Sequence, residues 1–126
     1  MMKEEECKYI RTDVRYKNVY QVMMAISRGD IKIDESDNDK SDLYLEMAMS
    51  GLPLPTVYVA DDRYGHWEVV KGSNIINGLL KYIKNKKHIE QYRARIEDTN
   101  IYFIVLNFCP ENNYRIEEIK EKIKRM

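Results

Sequence analysis

Cysteine is scarce in this sequence. Cys7 and Cys109 are the two among 126 residues, and they stand far apart. They form no CxxC pair and no Cys/His cluster, so a disulfide framework is not expected, and two free thiols in a reducing cytoplasm are. Net charge is missing as well: 21 Lys+Arg balance 21 Asp+Glu. A generic polyanion binder carries a basic excess, so the balance argues against one. No apolar run approaches the roughly 18 residues of a membrane span. The opening stretch Met1–Lys8 is acidic and polar, unlike a signal peptide. These absences point away from secreted scaffolds, membrane proteins and disordered tails, and toward a cytoplasmic protein. What is present is ordinary: 44% hydrophobic and 33% charged residues. That supports one domain over residues 1–126, with a core that needs no disulfide or metal.

The zero total hides an asymmetry. Asp30 to Glu46 holds seven acids against Lys32 and Lys40. Lys81 to Arg95 holds six bases against Glu90. Such blocks form solvated faces, or else complementary surfaces for a partner; the basic block also suits a phosphate backbone.

Periodicity gives the elements. Ile10, Thr12, Val14 and Tyr16 alternate with polar residues, as in a strand. Asn18 can cap a helix carrying Val19, Val22, Met23 and Ile26, and Gly29 stops it. Ile31 and Ile33 mark a short extended piece, and Asp34 to Ser41 a polar loop. Ser41 or Asp42 starts a second helix with Leu43, Tyr44, Met47 and Ala48 on one face; Gly51 and Pro53 end it. Thr56–Ala60 and His66–Val70 flank a five-residue loop and should pair as an antiparallel hairpin. A third helix carries Ile75, Ile76, Leu79, Leu80 and Ile83. Ile101–Phe108 reads as a central strand buried on both faces. After a turn at Pro110–Asn113, Ile116, Ile119 and Ile123 mark a last helix. The order β-α-β-α-β-β-α-β-α implies one α+β or mixed α/β domain. Its expected core includes Leu43, Met47, Val57, Val59, Val69, Ile76, Leu79, Ile104 and Leu106.

The junction Val69-Val70-Lys71-Gly72-Ser73-Asn74 is the most informative local feature. A strand ends, Gly72 permits a tight turn, and a helix begins. A helix N-terminus presents unpaired N–H groups and a positive dipole end, which suits an anion. Lys71 would add a charge, and Ser73 and Asn74 would add donors. The plainer reading makes Ser73 or Asn74 an N-cap and Gly72 a turn residue. A Walker-type phosphate loop is excluded, because the second Gly and the Gly-Lys-Ser/Thr run are missing. Glu35, Asp37, Asp39 and Glu46 have calcium-loop spacing, but Lys40 and Asp42 stand where Gly and an apolar residue are needed, so no metal site is expected. His66 and His88 lack ligand partners at i+4, and His66 is expected on a strand face. Most of the ten tyrosines, with Trp67, are expected at core or half-buried strand positions, and only Tyr92-Arg93-Ala94-Arg95 hints at a base-stacking surface.

The segment Leu43–Tyr82 resembles one family. Ser50-Gly51-Leu52-Pro53-Leu54-Pro55, the strand Thr56–Val59, then Gly65-His66-Trp67-Glu68-Val69-Val70, a Gly turn and an apolar helix carry the likeness. The family is the N-terminal domain of GmrSD-type restriction endonucleases (domain of unknown function 262), in the ParB/sulfiredoxin-like superfamily. Its members read G-[IL]-P-[IL]-P, strand, hairpin, strand, then Asp-Gly-Gln-Gln-Arg opening a helix. Asn18–Ile33, Ile101–Phe108 and Arg115–Lys124 fit its other elements. The resemblance implies a ParB/sulfiredoxin-like mixed sheet with packed helices.

The departures are specific. The Asp-Gly-Gln-Gln-Arg motif falls on Lys71-Gly72-Ser73-Asn74-Ile75, where only the Gly survives. Ile75 replaces a guanidinium able to hold phosphate bidentately. A second motif, Gln-Arg, falls near Asp34-Glu35-Ser36 and is replaced by acid. The family's C-terminal helical extension is not expected here, since the sequence ends at Met126. In the family these motifs are associated with nucleotide binding and hydrolysis coupled to DNA cleavage. Three readings follow. The first is a non-catalytic, pseudoenzyme-like binding domain that takes a nucleotide, another anion or a protein partner at Lys71, Gly72, Ser73 and Asn74, linked to restriction or phage defence. The second is a residual nucleotide hydrolase or phosphotransferase using Lys71. The third is a nucleic-acid binder using residues 81–95. No catalytic residue, metal or firm cofactor is assigned.

Overall fold

A computed structural model describes residues 10–83, 90–108 and 116–126. Strand β1 spans Arg11–Asn18 and runs straight into helix α1, Val19–Ser27. Asn18 makes the switch. Its side-chain oxygen accepts the Gln21 N–H at 2.8 Å, while the Gln21 side chain accepts the Asn18 N–H at 2.9 Å. Two otherwise unpaired donors are thereby satisfied at the helix entrance. Strand β2, Ile31–Lys32, and helix α2, Ser41–Ser50, follow. Strands β3, Val57–Asp61, and β4, Trp67–Lys71, form the expected antiparallel hairpin. Helix α3 is Ser73–Leu80, helix α4 is Arg93–Asp98, strand β5 is Asn100–Asn107 and helix α5 is Ile116–Lys124.

The sheet order is β1-β5-β3-β4-β2. β1 and β5 pair antiparallel, β5 and β3 parallel, β3 and β4 antiparallel, β4 and β2 parallel. This mixed sheet with helices on both faces is an α+β fold. Strand alternation sorts the side chains. Ile101, Phe103 and Val105 of β5 and Val57 and Val59 of β3 point to one face, where α1, α2, α3 and α4 bury them. Ala60, Val70, Leu106 and Phe108 point to the other, where Ile116, Ile119 and Ile123 of α5 lie over them.

Several expectations need correction. Leu43 is 47% exposed, not core. From Leu43 to Met49 every position of α2 except Glu46 is apolar, so its sequence does not select a unique inward face. The face that packs carries Ser41, Tyr44, Leu45, Ala48 and Met49. Met47, Val69 and Ile104 are half-buried rather than buried. β5 is an interior strand but is covered on both faces only toward its C-terminal end; Tyr102 is 49% exposed. The reason is placement: α5 packs beside β4, away from β1. His66 lies in the hairpin loop, before β4 begins. Tyr92 to Arg95 belongs to a 3-10 turn and α4, so it forms no stacking surface on the sheet. Cys7, Cys109, His88 and the expected turn at Pro110–Asn113 lie outside the described residues.

Candidate functional site

The Lys71–Asn74 junction is built as a strand-to-helix turn whose side-chain polar groups bond within the chain. Gly72 is the N-cap of α3, with φ +114°, and no side chain caps the helix. A Cβ here would stand 3.0 and 3.1 Å from the two Val57 methyls. Both the left-handed backbone and the contact with β3 therefore require glycine. Ser73 is buried, and its hydroxyl accepts the Asp34 N–H at 3.0 Å. The Asn74 amide donates to the Asp39 carbonyl at 2.9 Å. Asn77 donates to the carbonyls of Asp34 at 2.9 Å and Asp37 at 2.8 Å. One turn later Lys81 donates to the Ser41 hydroxyl and pairs with Asp42, each at 2.6 Å.

Ser73, Asn74, Asn77 and Lys81 thus form one polar stripe along α3 and its 3-10 extension Lys81–Ile83. Ser73, Asn74 and Asn77 hold the acidic loop by its main chain at residues 34, 37 and 39, and Lys81 holds its end by the side chains of Ser41 and Asp42. Asn77 was not singled out from sequence, and Lys81 stood only as the start of the basic block. Their spacing from Ser73, opposite Ile75, Ile76 and Leu79, was the available signal. Lys71 points elsewhere: its ammonium donates to the main-chain oxygen of Met126 at 2.7 Å. The four predicted residues are therefore adjacent in the chain, but only Ser73 and Asn74 converge on one object, the acidic loop.

Asp34 sets the shape of that loop. Its carboxylate accepts the Ser36 hydroxyl at 2.5 Å and the Ser36 N–H at 3.0 Å. The Ser36 side-chain bond, then its backbone bond, hold the Asp34 pKa below the ordinary 3.8. The lowered value means the charged form is favoured by the fold. Its contribution is full above the ordinary value and is lost as pH falls through the folded value. The Asn74 and Asn77 side-chain amide signals in NMR are therefore expected to stay fixed from neutral pH down to the carboxylate range and to move only below it. Movement near neutral pH would contradict this.

A second polar cluster, missed in the sequence, lies at the opposite end of β4. The Asp62 carboxylate accepts the N–H groups of Tyr64 at 2.7 Å and His66 at 3.1 Å, and meets the His66 Nδ1 at 2.9 Å. The Tyr64 N–H first, with help from His66, holds the Asp62 pKa below normal against desolvation. His66 Nε2 stands 3.9 Å from Asp30, which pairs with Arg28 at 3.1 Å. The ring thus ties the hairpin loop to the α1–β2 turn. Beside it is a cleft of about 750 Å³ whose described walls include Asp61, Arg63, Trp67, Glu68 and Lys120. Burial works to lower the Lys120 pKa, but Glu68 at 2.6 Å and Glu117 at 3.5 Å outweigh it and raise it. The described lining contains no Ser, Thr or Cys. Among the described residues no group of His, Cys, Asp and Glu is arranged to hold a metal ion.

Of the basic stretch 81–95, residues 84–89 lie outside the described residues. Lys81 is paired with Asp42, and Arg95 donates to the Met49 carbonyl at 3.0 Å. No helix among the described residues is long and apolar enough to cross a membrane. Comparison with family models, with curated proteins and with solved structures finds no match for this chain.

Proposed function

We propose that this chain is a non-catalytic binding domain of the ParB/sulfiredoxin-like kind, a degenerate relative of the GmrSD-type N-terminal domain. One observation carries the reading. The two segments that stand where the family has its motifs, Asp34–Ser36 and Lys71–Ile75, meet through the Asp34 N–H and the Ser73 hydroxyl at 3.0 Å. The resemblance puts both segments at one cleft. Here the segments are joined to each other, and Asp34, Ser36, Lys71, Ser73 and Asn74 all bond within the chain. Asp34, Glu35, Asp37 and Asp39 stand in the loop that meets the helix N-terminus and would repel a nucleotide phosphate. The residues that would stabilise a transferring phosphoryl group are missing or turned away, Ile75 into the core and Lys71 toward Met126.

The binding partner favoured by this arrangement is a protein, with a basic surface facing the acidic loop, in a restriction or phage-defence setting as the resemblance suggests. The alternatives fare worse on particular contacts. A residual hydrolase needs Lys71 at the turn. A nucleic-acid surface at 81–95 loses Lys81 to Asp42. Incubation of the purified protein with ATP and GTP tests the reading. No turnover is expected, and neither nucleotide should shift the Asn74 or Asn77 amide signals at millimolar concentration. Turnover that disappears in Lys71→Ala would overturn it.

A further inference from the structure

We infer that β1 is a pairing edge, and that the partner it fits is a second copy of this chain. β1 is bonded to β5 along its whole length, from Arg11↔Asn107 to Asn18↔Asn100. Its other side has no strand neighbour among the described residues. Six consecutive residues, Arg11 to Tyr16, are exposed. An open strand of this length presents a row of unpaired N–H and C=O groups, and proteins usually protect such rows. The opposite edge is protected by brevity, since β2 has two residues. β1 has no proline and no bulge, and it carries Val14 at 70% exposure and Tyr16 at 67%. Tyr102 extends this apolar row onto β5, with its ring 6.0 Å from that of Tyr16.

The sequence of the strand says which partner suits it. Two-fold antiparallel pairing centred on Val14 keeps inward and outward faces matched across the junction. It places Val14 against its own mate and Thr12 against Tyr16 of the other copy. Asp13 then faces Arg15 of the other copy, twice by symmetry. Opposite charges directly across an antiparallel pair are stabilising, and like charges are not. Centring on Asp13 or on Arg15 instead sets two like charges face to face. Arg11 falls opposite Lys17 in the favoured register, a like pair. Lys17 is drawn off the edge, its ammonium lying 5.2 Å from the centre of the Trp67 ring. The result is a continuous sheet through two copies, with an isologous interface.

Sedimentation equilibrium of the full chain from micromolar to near-millimolar concentration tests this. A reversible dimer is expected. Asp13→Arg and Arg15→Asp should each weaken it by roughly tenfold or more, since each turns two attractive pairs into repulsive ones. The double variant Asp13→Arg/Arg15→Asp should restore it. An equimolar mixture of the two single variants should form a heterodimer, because the register then pairs Arg with Asp at every position. Circular dichroism and thermal melts of each variant confirm that the fold is intact. A wild-type chain that stays monomeric throughout the range overturns the inference. So does a dimer indifferent to both single reversals.

Discussion

Gly78→Ala is expected to destabilise the protein by about 3 kcal/mol or more, or roughly 10 °C in Tm for a chain of this size. The sign is the point. Inside a helix, Gly→Ala normally adds about 0.8–1.0 kcal/mol of stability. Here α2 crosses α3 at Gly78. A Cβ at this position would overlap the Ser41 carbonyl oxygen and come within 2.9 Å of its carbon and 3.1 Å of its Cα. These are backbone atoms, so no rotamer change relieves the contact. The helices must separate, and Ser41 with them. That would also strain the bonds from Lys81 to Ser41 and Asp42 and loosen the clasp on the acidic loop. A thermal melt followed by circular dichroism reads the effect. An unchanged or higher Tm would show that α2 and α3 do not cross as described.

Phe103→Ala is expected to cost about 3–5 kcal/mol, a large part of the roughly 5–15 kcal/mol that holds an ordinary domain together. Phe103 is fully buried and heads the largest fully buried side chains. It sits mid-strand on β5, opposite Arg15 on one neighbour and Val57 on the other. Its ring packs against Trp67 at 5.2 Å and 55°. Removal leaves a cavity between the sheet and its helical layer that rigid strands cannot close. Urea unfolding should show a lower midpoint with an unchanged slope. Tyr102→Ala, one residue away on the open face, should change stability by only about 0.5 kcal/mol. Equal losses at the two positions would mean that the two faces of β5 are not differently covered.

Much of the fold was legible because it rests on local rules. Asn18 as a cap, Gly29 and Gly51 as helix stops, and the five-residue hairpin loop all follow from short-range backbone chemistry. The alternation that marks strands and the period that marks helices survive for the same reason. The phase of α2 was not legible, because a helix apolar on several sides gives no preferred direction. The half-exposed face of β5 was not legible either. A continuous apolar run tells of a strand, while coverage depends on where a distant helix lands.

The candidate site divides along the same line. Gly72 as a turn of positive φ could be read from the junction itself. That Ser73, Asn74 and Asn77 would hold the loop around Asp34, some forty residues earlier, could not. Those bonds depend on β2 and β4 lying parallel and adjacent, with Ile31 beside Trp67. The sequence alone determined the elements other than the short helix α4, their order, and the opposite charges of the two blocks, because these are properties of neighbours along the chain. Only the tertiary structure decided what the charges do. It folds the acidic block against α3 and Lys81, so part of the net zero is an internal pairing. The physical reason is that sheet topology brings these segments together, and the polar groups of α3, buried at Ser73 and half-buried at Asn74 and Asn77, find their partners wherever the sheet places them.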